Sequence, residues 1–351
     1  VSIANIQETV LQIRPLDEEA KQSASRRLDR LTKPPGSLGK LEELAIQIAG
    51  ITGDAEWKPP AKAIVVMAGD HGVCEEGVSA FPQEVTGQMV HNFLGGGAAI
   101  NVLARQTGAE VVCVDIGVKG ELAHERLVSR KVRHGTANMA KEAAMTREEA
   151  ELAIGHGIQL ANDLAEQGIG LLATGEMGIG NTTPSAAVLS VLADVDVEEV
   201  VGRGTGIDDA GLLRKQATIR KAIALHAPDS GDAVDVLAKV GGLELAGLAG
   251  LILGAAARRI PVVIDGFIST VAALAACRIA PEAKGYLIPS HLSEERGHRY
   301  ALKELGLEPM LNLRMRLGEG SGAVLAFPLI EAASRIVHEM ATFDSAGVSR
   351  G

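Results

Sequence analysis

The chain of 351 residues is long enough to bury one large core and to carry a smaller unit beside it. Apolar residues make up 46% and aromatics only 2%, so the core must be packed from Ala, Val, Ile and Leu, which suits layered helices and sheets. A net formal charge of -10 leaves no basic field for a nucleic-acid backbone, and so few aromatics leave little stacking surface for single strands.

The opening VSIANIQETV carries no signal-peptide pattern, and a cytoplasmic setting is expected. Two helical patterns follow, one over Asp17 to Arg30 and one from Ser37 with Leu38, Leu41, Ala45 and Ile48 on a single face. Strands are expected at AIVVMA (Ala63 to Ala68) and EVVCVDI (Glu110 to Ile116). TREE, Thr146 to Glu149, is a capping box opening a helix that runs through Ile158 and Leu164. A third strand is expected at IGLLAT (Ile169 to Thr174). Leu245 to Ala257 is apolar and uncharged but shorter than the roughly 20 residues of a membrane span, so it reads as a buried helix. Glu244 precedes it and suits the N-terminal end of its dipole. PVVID (Pro261 to Asp265) and YLIP (Tyr286 to Pro289) complete the strands. His291 and His298 are expected on one helix with Glu294 and Glu295 between them, as a solvated face or a dimer contact, because no H-E-x-x-H pattern results. Ala323 to Ala341 is again helical.

Unbroken apolar strands separated by helices predict an α/β fold, a parallel sheet flanked by helices on both faces, with ligands beyond the carboxyl ends of the strands. The helical ends, residues 1–55 plus 323–351, are assigned to a small helical domain, and residues 56–322 to a large α/β catalytic domain. Cys74, Cys113 and Cys277 lie far apart without C-x-x-C spacing, which fits a reduced chain better than a disulfide framework or a zinc site.

The chemistry is expected in the loops that follow the strands: GDHG (Gly69 to Gly72), GEMGIGNTTP (Gly175 to Pro184) and GFIS (Gly266 to Ser269). In the second of these, Asn181, Thr182 and Thr183 before Pro184 read as a helix start, whose free N–H groups and dipole suit a phosphate. GRGTG (Gly202 to Gly206), with Asp208 as N-cap and Lys215 two turns into the next helix, is another candidate anion loop. Each loop alone reads more readily as structural punctuation, since glycine-rich turns before helices are common. Gly178-Ile179-Gly180 does not complete a dinucleotide fingerprint, and no Walker loop occurs. Asp70 and His71 are open to two readings, a metal or proton-transfer pair, or turn residues bonded to backbone. RLGEGSGA, Arg316 to Ala323, places a carboxylate, Glu319, inside a glycine cluster, where it would repel an anion.

Taken in order, LTKPPGSLG (Leu31 to Gly39), AGDHGV (Ala68 to Val73), SAFPQEVT (Ser79 to Thr86), GEMGIGNTTP, GRGTG and GEGSG (Gly318 to Gly322) resemble the motif series of the nicotinate-nucleotide:dimethylbenzimidazole phosphoribosyltransferase family. The likeness runs from about Arg27 to about Ala323. It implies a Rossmann-like parallel sheet with a small helical domain from both chain ends, a homodimer, and no metal or cofactor. It also implies a reaction: nicotinate mononucleotide gives its 5-phosphoribosyl group to 5,6-dimethylbenzimidazole, yielding α-ribazole 5′-phosphate and nicotinate. By similarity the catalytic residues are Glu319, the general base, and Glu176, a second acidic residue that orients the ribose or stabilises the charge developing at C1′. By the same matching Gly178, Gly180, Asn181, Thr182, Gly202, Arg203, Gly204, Thr205 and Lys215 hold phosphate and ribose, while Ser79, Phe81, Gln88 and Leu317 line the base pocket. Two other readings stand beside this one. One is a metal-dependent nucleotide hydrolase or kinase using Asp70 and His71, and the other a non-catalytic binder of a nucleotide or corrinoid precursor.

Overall fold

The apolar runs assemble into one sheet. In the computed structural model, which describes residues 5–349, the strands are β1 (Ala61–Gly69), β2 (Glu110–Gly117), β3 (Val128–Ser129), β4 (Ile169–Met177), β5 (Val262–Ile264) and β6 (Leu287–Pro289). All pairings are parallel, in the order β3-β2-β1-β4-β5-β6. The chain order reverses between β1 and β4, which opens a crevice at the carboxyl ends of the strands. The α/β expectation therefore holds. β3 was not anticipated, because its two residues lie in a polar stretch with no apolar run. β5 is shorter than expected and excludes Pro261 and Asp265. β6 begins at Leu287 because Tyr286 still belongs to a 3-10 turn, Pro281–Tyr286. The first four residues of VSIANIQETV and the last two of the chain lie outside the described residues.

Alternation along β1 builds two cores. Ala63, Val65 and Met67 join the cluster of the Arg147–Glu166 and Leu243–Ala257 helices, whereas Ile64, Val66 and Ala68 join Val324, Phe327 and Ile330 of the Ser321–Glu339 helix. Thr146 caps the Arg147–Glu166 helix as the TREE pattern predicts. The Leu243–Ala257 helix is buried from Leu243 to Ala256 and crosses Arg147–Glu166 at backbone contact. A Cβ on Gly250 would fall 1.9 Å from the Ile154 carbonyl oxygen, and one on Gly157 would fall 1.9 Å from that of Gly247. Alanine at Gly250 gains about 1 kcal/mol of helix propensity, but the obstacle is backbone and cannot rotate away. Overpacking of roughly 1–3 kcal/mol wins. Gly250→Ala is therefore expected to lower the thermal midpoint followed by circular dichroism, and an unchanged or raised midpoint would show that the two helices separate freely.

The chain ends lie together. Asp17 caps the Glu18–Asp29 helix, with its Oδ1 accepting from the Ala20 N–H at 2.9 Å. The next helix, Lys40–Thr52, starts later than Ser37 because turns occupy the preceding Pro34 to Gly39 stretch. It packs against Ser321–Glu339. Between them sits Trp57, whose carbonyl accepts from Ser334 Oγ at 2.7 Å and pairs with His338 Nε2 at 3.0 Å. Among the described residues no helix is long and apolar enough to cross a membrane.

Candidate active site

The loops that leave the strand ends enclose a cavity of about 390 Å³, within the size range of small-molecule sites. Glu176 enters from the end of β4 and Glu319 from the loop before the Ser321–Glu339 helix, and both carboxylates line it. Gly318, Glu319 and Gly320 all have left-handed backbone, with φ of 86°, 63° and 85°. Glycine reaches this region freely; for Glu319 it is a strained conformation that the surroundings must hold. The closeness also demands glycine at Gly318, where a Cβ would lie 2.2 Å from Glu176 Oε1.

The two acids have different surroundings. Burial, followed by the neighbouring charge of Asp265, pushes Glu176 up to about 8, although the Asn181 side-chain amide donates to its Oε2. A carboxyl raised to about 8 favours its protonated form at neutral pH. Burial also raises Glu319 above the ordinary carboxylate range, opposed by the Ile100 N–H donating to Oε2 at 3.2 Å.

The β4 loop leads into the Thr182–Ala193 helix, and Asn181 stands at its cap position without a capping side-chain bond, since its amide is turned to Glu176. Behind that helix start lies Lys215, buried on the Asp209–His226 helix, whose N-cap is Asp208 as expected. Its Nζ donates to Thr182 Oγ1 at 2.7 Å and to the Gly202 carbonyl at 3.3 Å. Lys215 therefore joins both glycine loops. Burial lowers it to about 8, against the pull of Glu295.

A family model described as phosphoribosyltransferase matches residues 13–348. The nicotinate-nucleotide–dimethylbenzimidazole phosphoribosyltransferase of Chloroflexus aggregans is 59% identical over 343 residues, 97% of either chain. The chain belongs to this phosphoribosyltransferase family. Its member from Halalkalibacterium halodurans is 56% identical over 344 residues, covering 98% of this chain and 96% of that one. The crystal structure of the Thermus thermophilus member matches with a TM-score of 0.91 at 49% identity, over 96% of this chain and all of that chain.

Of the residues that the phosphoribosyltransferase resemblance singled out, the cavity collects Glu176, Gly178, Gly180, Asn181, Thr182, Gly204, Thr205, Phe81, Leu317, Gly318 and Glu319. Lys215 and Gly202 stand behind this lining. Arg203 is exposed in its loop and turned toward the start of the Asp209–His226 helix, where it pairs with Asp209 and donates to the Ile207 carbonyl at 2.9 Å. Ser79 does not line the cavity, and its Oγ lies 3.2 Å from Thr205 Oγ1, tying one loop to the other. Gln88 is exposed on the Val85–Gly95 helix, which presents Val85 and Met89 to the cavity instead. No residue of the Leu31 to Gly39 motif lines it.

Asp70 and His71 are both buried. Asp70 Oδ2 accepts from the Lys119 N–H at 2.8 Å, and His71 Nε2 lies 3.0 Å from Glu244 Oε1 in a buried contact beneath Gly178 of the β4 loop. Glu244 thus does more than offset a dipole. Among the described residues no group of three or more His, Cys, Asp or Glu side chains is arranged around a potential metal position.

The histidine expectation is corrected. His291 is not helical: the chain stays extended after β6 because it pairs with Leu311, and the helix begins only at Arg296. Neither ring is solvated, although Glu294 is exposed. Burial and then the nearby His291 lower His298 to about 3, so its ring is neutral, accepting from the Ser293 N–H at Nδ1 and bonding Thr270 Oγ1 through Nε2. Sequence reasoning missed Asp265 and His291, both of which line the cavity. The available signal was position, an acid at the carboxyl end of a parallel strand followed by glycine.

Proposed function

We propose that the chain transfers the 5-phosphoribosyl group of nicotinate mononucleotide to 5,6-dimethylbenzimidazole, releasing nicotinate and forming α-ribazole 5′-phosphate. The observation that carries this is the placement of Glu176 and Glu319 on one cavity beside two glycine loops joined by a buried lysine. One ring nitrogen of the benzimidazole attacks ribose C1′ with its lone pair. The C1′–nitrogen bond to nicotinate breaks, and its electron pair neutralises the pyridinium. The attacking ring would become cationic, so its second nitrogen gives up a proton, and Glu319 is the base that takes it.

Glu176 orients the ribose through a hydrogen bond with a sugar hydroxyl, and the incoming pyridinium charge draws it toward the carboxylate form, which accepts from that hydroxyl. The start of the Thr182–Ala193 helix, the Gly202 to Gly206 loop and Lys215 hold the 5′-phosphate. Phe81, Val85, Met89 and Leu317 offer the apolar walls that a flat aromatic acceptor needs. Family membership also supports a homodimer and a cytoplasmic setting.

The test is a product assay. The protein is incubated with nicotinate mononucleotide and a panel of benzimidazoles, purines and phenols, and the ribosides are identified by mass. A dimethylbenzimidazole ribotide appearing together with equimolar nicotinate is the expected result, and the absence of any riboside across the panel would refute the reading.

A further inference from the structure

The geometry points to Asp265 as a positioning residue for the base: its carboxylate latches the left-handed Gly318–Glu319–Gly320 loop to the sheet and so aims Glu319. This rests on the assignment of Glu319 as base. Asp265 follows β5, is buried, and is itself fixed by its N–H donating to Thr174 Oγ1 at 3.3 Å. Its Oδ1 accepts from the N–H groups of Gly322 and Ala323 at 2.8 and 3.0 Å, within the first turn of the Ser321–Glu339 helix. That much is an ordinary helix cap. Oδ2 does something a cap does not require, accepting at 3.1 Å from the N–H of Gly320, the residue directly after Glu319.

The loop's own bonds, from the Ser321 N–H at 3.0 Å and Ser321 Oγ at 2.8 Å to the Gly318 carbonyl, close it on itself. The Asp265 latch ties that closed loop to the end of β5, beside a second tie in which the Glu319 N–H donates to Glu176 at the end of β4. A residue at φ of 63° persists only where its neighbours fix it, and a base must sit within hydrogen-bond reach of the proton it removes. His291 completes the surroundings, with Nδ1 3.8 Å from Asp265 Oδ1 and its ring packed where a Cβ on Gly322 would fall.

Asp265→Asn separates the two tasks. The amide oxygen can keep Gly322 and Ala323, while the amide NH₂ then faces the Gly320 N–H, donor against donor. The folded variant is expected to lose about 10²-fold in kcat, the usual cost of misplacing a catalytic group, with little change in KM for nicotinate mononucleotide. Placed in Glu319→Gln, the same substitution should cost almost nothing further, because groups acting as one unit are not additive. A proportional loss in both backgrounds, or a normal kcat for Asp265→Asn alone, overturns the inference. Activity surviving in Glu319→Gln would instead overturn the base assignment, so the two failures are distinct. Hydrogen exchange supplies a check that needs no variant: the Gly320 amide of the wild-type chain should be protected, and fast exchange there overturns the latch.

Discussion

Replacing Glu319 by Gln is expected to reduce turnover by about 10²–10⁴-fold, the usual contribution of a general base. Glutamine keeps the length of the side chain and can still accept from the Ile100 N–H, so the loop and both substrate sites should survive. What disappears is the capacity to take a proton. The pH profile sharpens the expectation. Catalysis needs the carboxylate, so activity is present above the Glu319 pKa and lost as pH falls through it. Because burial raises that pKa, the acid limb should lie above the ordinary carboxylate range. The Gln variant should lose this limb altogether. Steady-state rates across pH for both proteins decide the matter, and near-normal turnover with the limb intact would return Glu319 to a purely structural role.

Lys215→Ala should discriminate between donors. Only the nucleotide carries the 5′-phosphate, so only it loses a charge-assisted contact of roughly 1.5–3 kcal/mol, or about ten- to more than a hundredfold in kcat/KM. Removing a buried cation also leaves Glu295 with Arg316 as its remaining compensating charge, and that cost falls on both donors alike. The ratio of nucleotide to riboside activity is therefore the quantity to measure, and an unchanged ratio would place the phosphate elsewhere. The lysine carries its own pH signature. The cation is lost as pH rises through about 8, so the KM of the nucleotide should climb on the alkaline side in the wild-type chain and not in the alanine variant.

What could be read in the sequence depended on whether the partners of a residue lay close along the chain. Glu176, Lys215 and Glu319 stand in or beside glycine-rich segments, and the spacing of those segments carries the family resemblance. Five strands of the central sheet are equally plain as unbroken apolar runs, and only β3, two residues in a polar stretch, is not. Asp265 stands at a telling position, but its role is not legible because the groups it holds, Gly320, Gly322 and Ala323, come from a distant segment. His291 and His298 misled for the opposite reason. Their spacing fits a helix, but pairing with Leu311 keeps the first in extended chain. Gln88 shows the remaining limit: the segment matched, while the rotation of its helix brings Val85 and Met89 to the cavity and leaves Gln88 exposed.

The junction at Trp57 makes the chain's only indole a built-in optical reporter. Its carbonyl is bound by Ser334 and His338, on the same helix that begins just after Glu319. With two tyrosines as the other main emitters, fluorescence senses how that helix is seated on the N-terminal pair, while far-ultraviolet dichroism averages over the whole fold. If the two signals melt together, the chain ends and the sheet unfold as one cooperative unit; if fluorescence moves first, the helix that carries the base loop loosens before the strands do.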